Sequence, residues 1–324
     1  MYVAGVNGNH ASMVWKVGDG RSVTLERCLT MGIVNATPDS FSDGGRWSGT
    51  KGEIVDPKFV ADICATWVDA GVALLDVGGE STRPGARVLR SDEEEARVVP
   101  VLQAVRADER LTRALLSIDT RHAKVASAAI EAGAHVVNDV SGLADPEMAE
   151  VVARTQSGLI IGHMRGTPET MMQATNFRRL FDEIADDLEV SVERAVRGGV
   201  PLDCIVLDPC IGFGKDSTQS AALVASSQWL RDRIGRPVLI GASRKKFLGD
   251  LTGHPVGARD PASVGAALVA AECGAMIVRV HDVLATLEAL HVRAEILRAR
   301  SEMLGVARER SGEPNASGVV MERG

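Results

Sequence analysis

The sequence predicts a (β/α)8 TIM barrel, in which eight parallel strands alternate with eight helices around one core. Three observations predict this fold: eight short apolar runs, a helix-patterned stretch between each run and the next, and a polar residue at the end of every run. Runs of Val, Ile and Leu without alternation are typical of strands that are buried on both faces of a parallel sheet. Because the chemistry of such barrels lies at the carboxyl ends of the strands, we expect the polar residues to meet at one mouth.

The predicted strands follow one another along most of the chain. The first four are residues 31–34, 74–75, 115–118 and 135–137, which end at Asn35, Asp76, Asp119 and Asn138. The second four are residues 159–161, 205–207, 238–240 and 276–278, which end at His163, Asp208, residues 243–245, and Arg279 with His281. This repetition of helix, glycine, strand and polar residue is how a barrel is expected to appear in a sequence.

Capping residues predict the helix boundaries. An aspartate before a proline suits the N-cap and first helical positions, and this pair begins at Asp56, Asp145 and Asp260. Ser91 followed by Glu94 predicts a capping box. Four glycines supply the left-handed residue that ends a helix: Gly71, Gly133, Gly199 and Gly274. Amphipathic stretches predict a long helix over residues 176–198 and a closing helix over residues 283–300.

The chain divides into three predicted parts. Residues 1–27 form an N-terminal extension in which two alternating runs flank Gly18-Asp19-Gly20, a pattern that predicts a β-hairpin at the closed end of the barrel. Residues 28–300 form the predicted TIM barrel, a fold that commonly takes about 250 residues as one domain. Residues 301–324 are polar and rich in Gly, Pro and Ser, which predicts a flexible tail.

The bulk composition is that of a globular protein. The 324 residues are 45% hydrophobic and 24% charged, which allows a sizeable core without disulfides. The net charge of -7 argues against a nucleic-acid partner, and no apolar run is long enough to cross a membrane. Five scattered cysteines and the lack of a secretory signal lead us to expect a cytoplasmic protein.

Three strand-end residues with planar polar groups indicate recognition of a flat heterocycle. Asp119, Asn138 and Asp208 would offer acceptors and donors to a ring that carries amino and N–H groups. Each of them alone could equally cap the helix that follows it. Capping does not account for the basic side chains at or just after strand ends, which are Arg83, Arg244, Lys245, Arg279 and His281. Such a cluster indicates an anionic ligand, and hence a phosphorylated or pyrophosphorylated substrate.

Asn35 is the candidate metal ligand. Mg2+ commonly accompanies phosphate oxygens and uses few protein ligands, although an Asn before a turn is also common for other reasons. Dinucleotide-binding and P-loop motifs are absent, since Gly212-Phe213-Gly214-Lys215 fits neither. A metal-dependent hydrolase with this fold would begin with an H-x-H pair on the first strand, whereas this strand ends in Asn35-Ala36-Thr37.

Two segments at strand ends are too long and too rich in glycine to be simple connections. They are residues 36–56, after the first predicted strand, and residues 80–87, after the second. Long loops at the catalytic face are candidates for mobile lids.

Eight segments resemble, in order, the motifs of dihydropteroate synthase. They are residues 31–45, 78–85, 117–120, 138–142, 207–209, 212–215, 241–245 and 278–282. The resemblance spans most of the chain, and several of the motifs are long enough to be specific. It implies a transferase of folate biosynthesis, a homodimer, that joins p-aminobenzoate to 6-hydroxymethyl-7,8-dihydropterin diphosphate with Mg2+. The implied products are 7,8-dihydropteroate and diphosphate.

The resemblance also implies roles for individual residues. The pterin ring would be bound by Asp119, Asn138, Asp208 and Lys245, with Met164 and Phe213 in the pocket walls. The diphosphate and its Mg2+ would be held by Asn35, Arg279 and His281. The p-aminobenzoate pocket, in which sulfonamides would compete, would be formed by Phe41, Thr82, Arg83, Pro84, Ser243 and Lys245. The residues expected to act in catalysis are Asn35, Arg83, Lys245, Arg279 and His281.

One departure and two rival functions accompany this resemblance. Cys210 stands where the family has a glycine after Asp-Pro, so its side chain either narrows the pocket or points away from it. A barrel of the methyltetrahydrofolate:corrinoid methyltransferase type would share the pterin-binding residues but needs no diphosphate site, so Asn35 and Arg279 weigh against it. A non-catalytic paralogue would have lost anion-binding or loop residues, and none of those assigned above is lost.

Overall fold

The computed structural model of the chain describes residues 13–37, 56–80, 89–167, 169–173 and 175–311, with side chains up to residue 305. Ten strands occur in this part of the chain: β1 (Met13–Lys16), β2 (Ser22–Leu25), β3 (Leu29–Asn35), β4 (Leu74–Gly78), β5 (Leu115–Asp119), β6 (Val136–Asp139), β7 (Gly158–Gly162), β8 (Ile205–Asp208), β9 (Leu239–Ile240) and β10 (Ile277–Val280). The α-helices are α1 (Pro57–Asp69), α2 (Ser91–Ala107), α3 (Ala123–Glu131), α4 (Met148–Thr155), α5 (Leu180–Arg197), α6 (Ser217–Val224), α7 (Ser227–Ile234), α8 (Lys246–Thr252), α9 (Asp260–Glu272) and α10 (Val283–Ser311).

Eight parallel strands form the predicted barrel. Their order is β8-β7-β6-β5-β4-β3-β10-β9, and a parallel bridge between Leu207 and Val238 joins the two ends of this order. All eight strands coincide with the eight apolar runs of the sequence. Each strand is followed by at least one helix, as a right-handed parallel barrel requires.

The barrel strands present two different faces. Along β4, Leu74 belongs to the inner core of the barrel, whereas Leu75 and Val77 belong to the outer core between strands and helices. Both faces are apolar near the start of the strands, which is why the runs show no alternation in the sequence. Toward the carboxyl ends the inner face becomes polar, at Asp76 and Ser117, and this change marks the mouth.

The hairpin predicted for residues 1–27 is confirmed over its described part, residues 13–25. Strands β1 and β2 pair antiparallel, and Trp15, Val17 and Leu25 join the inner core. The indole Nε1 of Trp15 donates a hydrogen bond of 2.8 Å to the carbonyl oxygen of Cys204. A Cβ at Gly158 would lie within 3.2 Å of Trp15 and Val17, so the glycine makes room for the hairpin. The hairpin therefore closes the barrel at the end opposite the mouth.

Several predicted helix boundaries are confirmed and others are wrong. The carboxylate of Asp56 caps α1, and the four predicted glycines all have φ between +93° and +106° after their helices. Asp145 is not an N-cap: α4 starts at Met148, and the Asp145 carboxylate instead accepts from the backbone of Ala123 and Glu147.

Two further predicted caps are absent, and the carboxylates of Glu94 and Asp260 bind distant side chains instead. Ser91 makes no capping bond, because Arg90 is the N-cap and its carbonyl oxygen accepts from the backbone N–H of Glu94. The Glu94 carboxylate is buried against His122, with 2.6 Å between Oε2 and Nδ1. Asp260 is the first residue of α9 and its carboxylate binds the guanidinium of Arg244.

The last helix extends past its predicted end. Helix α10 runs to Ser311 rather than stopping at Arg300, so the predicted tail of residues 301–324 begins as helix. Helix α5 begins at Leu180, four residues after the predicted start at residue 176. None of the helices described here is both long and apolar enough to cross a membrane.

Trp15→Ala should lower the free energy of unfolding by about 3–5 kcal/mol, because it empties a fully buried site and removes a buried hydrogen bond. The measurement is urea unfolding followed by circular dichroism. Val14→Ala is the matched control, since the Val14 side chain is exposed on the other face of the same strand and should change stability by less than about 0.5 kcal/mol. Equal effects of the two changes would show that the hairpin is not part of the core.

Candidate active site

Arg279 joins two carboxylates at the mouth of the barrel. Its Nε donates to Asp76 Oδ2 and its Nη2 donates to Asp119 Oδ2, both at 2.6 Å. Burial alone would lower the pKa of Arg279, but the charges of Asp76 and Asp119 outweigh burial and raise the pKa above its ordinary value. The guanidinium is therefore permanently charged and held between strands β4, β5 and β10.

Asn138 is held by the same aspartate. Its Nδ2 donates to Asp76 Oδ2 at 3.0 Å, and Asn138 is buried. Within the described residues the carbonyl oxygen Oδ1 of Asn138 is buried and has no hydrogen-bond partner, and the same holds for the hydroxyl of Ser117 on the neighbouring strand. The middle layer of the barrel interior thus presents unused polar atoms, which is what a site for a polar ring needs.

Asp208 and Lys245 complete the charged part of the mouth. Asp208 is buried at the end of β8 and accepts a 2.7 Å hydrogen bond from the backbone N–H of Cys210. Burial raises the pKa of Asp208, while Cys210 and the cations Lys245 and Arg279 oppose the rise. Burial likewise lowers the pKa of Lys245 to about 8, with Asp208 and Asp119 among the groups that face it. The sequence prediction that Asp119, Asp208, Lys245 and Arg279 lie together is confirmed.

Asp119 is a second carboxyl of the mouth with a raised pKa. Burial raises its pKa to about 7, Arg279 works against the rise, and the negative charges of Asp76 and Glu94 add to it. A carboxyl that titrates near neutrality in a cleft is a feature of functional sites.

An apolar wall lies beside these charges. Val140, Met171, Cys210 and Phe213 form a small buried cluster, and the half-buried Met164 packs against it. The Lys245 ammonium lies 3.8 Å from the centroid of the Phe213 ring. Apolar walls with few polar groups are typical of pockets that hold planar ligands.

Cys210 belongs to this wall. It has φ +50°, in the left-handed region that favours glycine, and its side chain is buried. A Cβ at Gly162 would lie 2.7 Å from the Cys210 sulfur, so the sulfur occupies space that the glycine leaves free. Burial and the charge of Asp208 raise the pKa of Cys210 well above its ordinary value, which keeps it a thiol. Of the two possibilities raised by the sequence, the side chain packs in the wall rather than pointing away from the mouth.

Ser243 and His281 meet on the other side of the mouth. The Ser243 hydroxyl accepts from the backbone N–H of His281 at 3.2 Å and lies 3.0 Å from its Nδ1. Asn35 ends β3, the strand that pairs with β10, and it is half-buried. Arg244 differs from the prediction, because two hydrogen bonds tie its guanidinium to Asp260 on α9.

His163, which the sequence left without a role, is buried in a polar network. The ammonium of Lys215 donates to the carbonyl oxygens of His163 and Phe213 and lies 3.0 Å from His163 Nδ1. The other ring nitrogen, Nε2, lies 3.0 Å from a carboxylate oxygen of Asp187, which also accepts from Arg165. Burial lowers the pKa of His163 to about 4 and that of Lys215 to about 8. The neutral imidazole thus accepts from Lys215 and donates to Asp187.

Some residues of the site were not predicted from the sequence, and some predicted residues lie outside the part of the chain that the structure describes. Asp76 and Lys215 were not predicted as site residues, although Asp76 is the polar end of a predicted strand and Lys215 is the last residue of the 212–215 motif. The predicted p-aminobenzoate residues Phe41, Thr82, Arg83 and Pro84, with most of both predicted lid loops, lie outside the described residues. In the part of the chain that the structure covers, no three His, Cys, Asp or Glu side chains are grouped as metal ligands.

Comparisons with known proteins agree with one another. A family model described as "Pterin binding enzyme" matches residues 31–281. The dihydropteroate synthase of Synechocystis sp. is 40% identical over 80% of this chain and 86% of its own length. The mitochondrial bifunctional folate synthesis protein of Pisum sativum is 36% identical over 89% of this chain, which spans 57% of that longer protein. The structure of Xanthomonas albilineans dihydropteroate synthase with 4-aminobenzoic acid is similar with a TM-score of 0.77, at 37% identity, covering 88% of this chain and 99% of that one.

His163→Gln should flatten the loss of stability in acid. An unfolded histidine takes up a proton near its ordinary pKa of 6.5, whereas the buried His163 resists protonation until about pH 4, so the parent protein loses stability as the pH falls between these values. The loss reaches roughly 3 kcal/mol by pH 4. Above pH 6.5 both states are neutral and this contribution vanishes.

Urea unfolding at pH 7 and pH 4.5 measures this contribution. Glutamine can accept from Lys215 and donate to Asp187, so the variant keeps the contacts without the titration. The same pH dependence in parent and variant would contradict a buried neutral His163.

Proposed function

The chain belongs to the dihydropteroate synthase family of pterin-binding enzymes, and we propose how its own residues carry out the reaction of that family. It is a transferase that condenses 6-hydroxymethyl-7,8-dihydropterin diphosphate with p-aminobenzoate to give 7,8-dihydropteroate and diphosphate. The observation that supports these assignments best is the meeting of Asp119, Asp208, Lys245 and Arg279 at one mouth, beside an apolar wall.

The pterin ring is bound by the acceptors and donors of the mouth. Asp119, Asn138 and Asp208 face the amino and N–H groups of the ring, and the Lys245 ammonium faces its carbonyl oxygen. Gly241 lies beside this pocket, since a Cβ there would lie 3.8 Å from Arg279 and 3.9 Å from Asp208. Met164 and Phe213 cover the faces of the ring. Planar stacking and edge recognition together give such a pocket its specificity.

The diphosphate lies on the side of Asn35, Ser243, Arg279 and His281. Asp76 and Asp119 already balance the positive charge of Arg279. A cation beside the diphosphate would therefore help to neutralise the negative charge of the diphosphate. Asn35 is half-buried at the end of β3, and its side-chain oxygen would hold Mg2+, a cation that needs few protein ligands beside a phosphate. When bound, Mg2+ supplies charge neutralisation for the leaving diphosphate.

p-Aminobenzoate binds in a second pocket of the same mouth. Its residues are Phe41, Thr82, Arg83, Pro84, Ser243 and Lys245. Sulfonamides have the shape of p-aminobenzoate and compete for this pocket.

The reaction is a displacement at the exocyclic methylene of the pterin. The C–O bond breaks with its electron pair leaving on the diphosphate, and the electron-rich ring stabilises the positive carbon. The lone pair of the arylamine nitrogen forms the new C–N bond, after which that nitrogen loses a proton. No protein nucleophile takes part, so the protein contributes positioning, charge stabilisation and exclusion of water. Arg279 and Lys245 hold their positive charge close to the position of the leaving group and ring.

Two other functions can be distinguished from the transferase reaction, one by the residues of the site and one by the release of diphosphate. A pterin-binding methyltransferase barrel has no need for the Ser243–His281 pair beside Arg279. A binding-only paralogue would release no diphosphate.

The purified protein should release diphosphate from the pterin substrate only when both p-aminobenzoate and Mg2+ are present. EDTA should abolish the release, and excess Mg2+ should restore it. Asn35→Ala should raise the Mg2+ concentration needed for half-maximal rate about tenfold, which corresponds to about 1.4 kcal/mol. A coupled diphosphate assay measures all of these rates. Pterin binding without any diphosphate release would contradict the transferase assignment.

The chain forms a homodimer through α9 and α10. These helices expose Val269, Leu284, Val292 and Ile296, and the three on α10 lie toward one side of that helix. Ile296→Asp should convert the dimer to single chains in sedimentation experiments, because it places a charge in the apolar surface. Val190→Asp, at an exposed valine on α5, is the control and should leave the dimer intact. A parent protein that sediments as single chains would contradict the dimer.

A further inference from the structure

Asp76 is a buried carboxylate in the middle of a strand. It has no exposed surface, and it lies between Leu74 of the inner core and Gly78 at the end of β4. Removing a charge from water at such a position costs several kcal/mol unless partners compensate it. A polar residue in the interior of a barrel strand therefore calls for a functional reason.

One oxygen of this carboxylate holds two site residues. Oδ2 accepts from Arg279 Nε at 2.6 Å and from Asn138 Nδ2 at 3.0 Å. Both bonds are charge-assisted, which makes them stronger than bonds between neutral groups. Asp76 thus links strands β6 and β10, which are not neighbours in the barrel.

This contact fixes which end of the Asn138 amide faces the ligand. An ionised carboxylate can only accept, so the amide must turn its Nδ2 toward Asp76 and its oxygen away. A flipped amide would place its oxygen against the carboxylate oxygen. Among the described residues, Asn138 Oδ1 is left buried and without a partner. The site therefore presents an acceptor at this position, and a ligand that leaves a buried acceptor unmatched binds more weakly.

The same carboxylate fixes the plane of Arg279. Its Nε is bound by Asp76 and its Nη2 by Asp119, so two edges of the guanidinium are occupied. A guanidinium anchored at two edges cannot rotate about its last bonds without breaking a charge-assisted bond.

We propose that Asp76 is a positioning residue that sets the specificity of the pterin pocket: through Asn138 it selects a heterocycle with an N–H donor at that edge, and it aligns Arg279 toward the diphosphate of the same substrate. This inference rests on the proposed function, since it concerns the same pocket. Asp76 has no exposed surface, so it is proposed to act through these two side chains. A site built around a buried acceptor rejects a ring that lacks the matching donor, because the acceptor is then left unpaired.

Two substitutions separate positioning from simple charge balance. Asp76→Asn keeps an oxygen acceptor, because Arg279 and Asn138 both donate toward it, but removes the charge. Asp76→Leu keeps the approximate volume and removes the acceptor. For positioning we expect the Kd of 6-hydroxymethyl-7,8-dihydropterin to rise less than about fivefold in Asp76→Asn and about 30-fold or more in Asp76→Leu. Equal loss in both variants would overturn the proposal, because charge alone would then explain the effect.

A double-mutant cycle tests whether Asp76 acts through Asn138. Once leucine replaces Asp76, Asn138→Leu should weaken pterin binding much less than it does in the parent protein. Independent, additive effects would overturn the proposal.

The KM for p-aminobenzoate should change less than about twofold in Asp76→Asn. Asp69→Asn is the matched control, because it removes a carboxylate from an exposed pair with Arg113 at the end of α1, away from the mouth, and its pterin Kd should stay within about twofold.

A ligand-free measurement keeps this test distinct from that of the proposed function. In a ¹⁵N spectrum of the unliganded protein, the Arg279 Nε–H should exchange slowly with solvent in the parent and in Asp76→Asn. It should exchange at least tenfold faster in Asp76→Leu, and unchanged exchange would overturn the proposal. Should Asp76→Leu fail to fold, Asp76→Ala, which also removes the acceptor, replaces it with the same expectation. A parent protein that binds no pterin would overturn the proposed function, whereas normal pterin binding by the leucine or alanine variant would overturn only the role of Asp76.

Discussion

The bridge from Asp76 through Arg279 to Asp119 is the interaction on which the mouth of this barrel depends. Its members come from β4, β5 and β10, and all are largely removed from water. Each charge is tolerated only because the others are present, and removing one member of such a buried set costs more than the set gains by existing. The bridge can form only when β10 returns beside β3 and β3 beside β4. Closure of the ring and assembly of the charged site are therefore one event.

The strands could be predicted because their apolar runs report burial on two faces. The role of Asp76 could not, because a polar residue that ends a strand and one that faces the interior both interrupt the run. In the structure β4 continues through Asp76 to Gly78. Only the pairing with Arg279, 203 residues away, distinguishes the two cases. Lys215 was missed for a related reason, since its three acceptors lie on His163 and on its own loop.

Predictions of helix caps were wrong where the carboxylate binds a distant side chain more strongly than it would bind the start of its own helix. Glu94 has the spacing of a capping box, but a buried bond to His122 engages its carboxylate. Asp260 precedes a proline, yet two bonds to Arg244 hold its carboxylate. A cap contributes about 1 kcal/mol, and charge-assisted bonds between partly buried groups contribute at least as much. The glycine signals succeeded because a left-handed backbone is a steric requirement that no distant partner changes.

The side chain of Cys210 fits into the pocket wall only because residue 162, on the neighbouring strand, is a glycine. A cysteine in the left-handed region carries a backbone cost of about 1–2 kcal/mol that a glycine avoids. The buried sulfur offsets part of this cost by packing against Val140 and Phe213, and it can do so only because β7 has no Cβ at Gly162. A side chain at residue 162 would meet both the sulfur and the Val140 backbone. The shape of this wall is therefore decided by the pair: the cysteine fills the space and the glycine leaves it free.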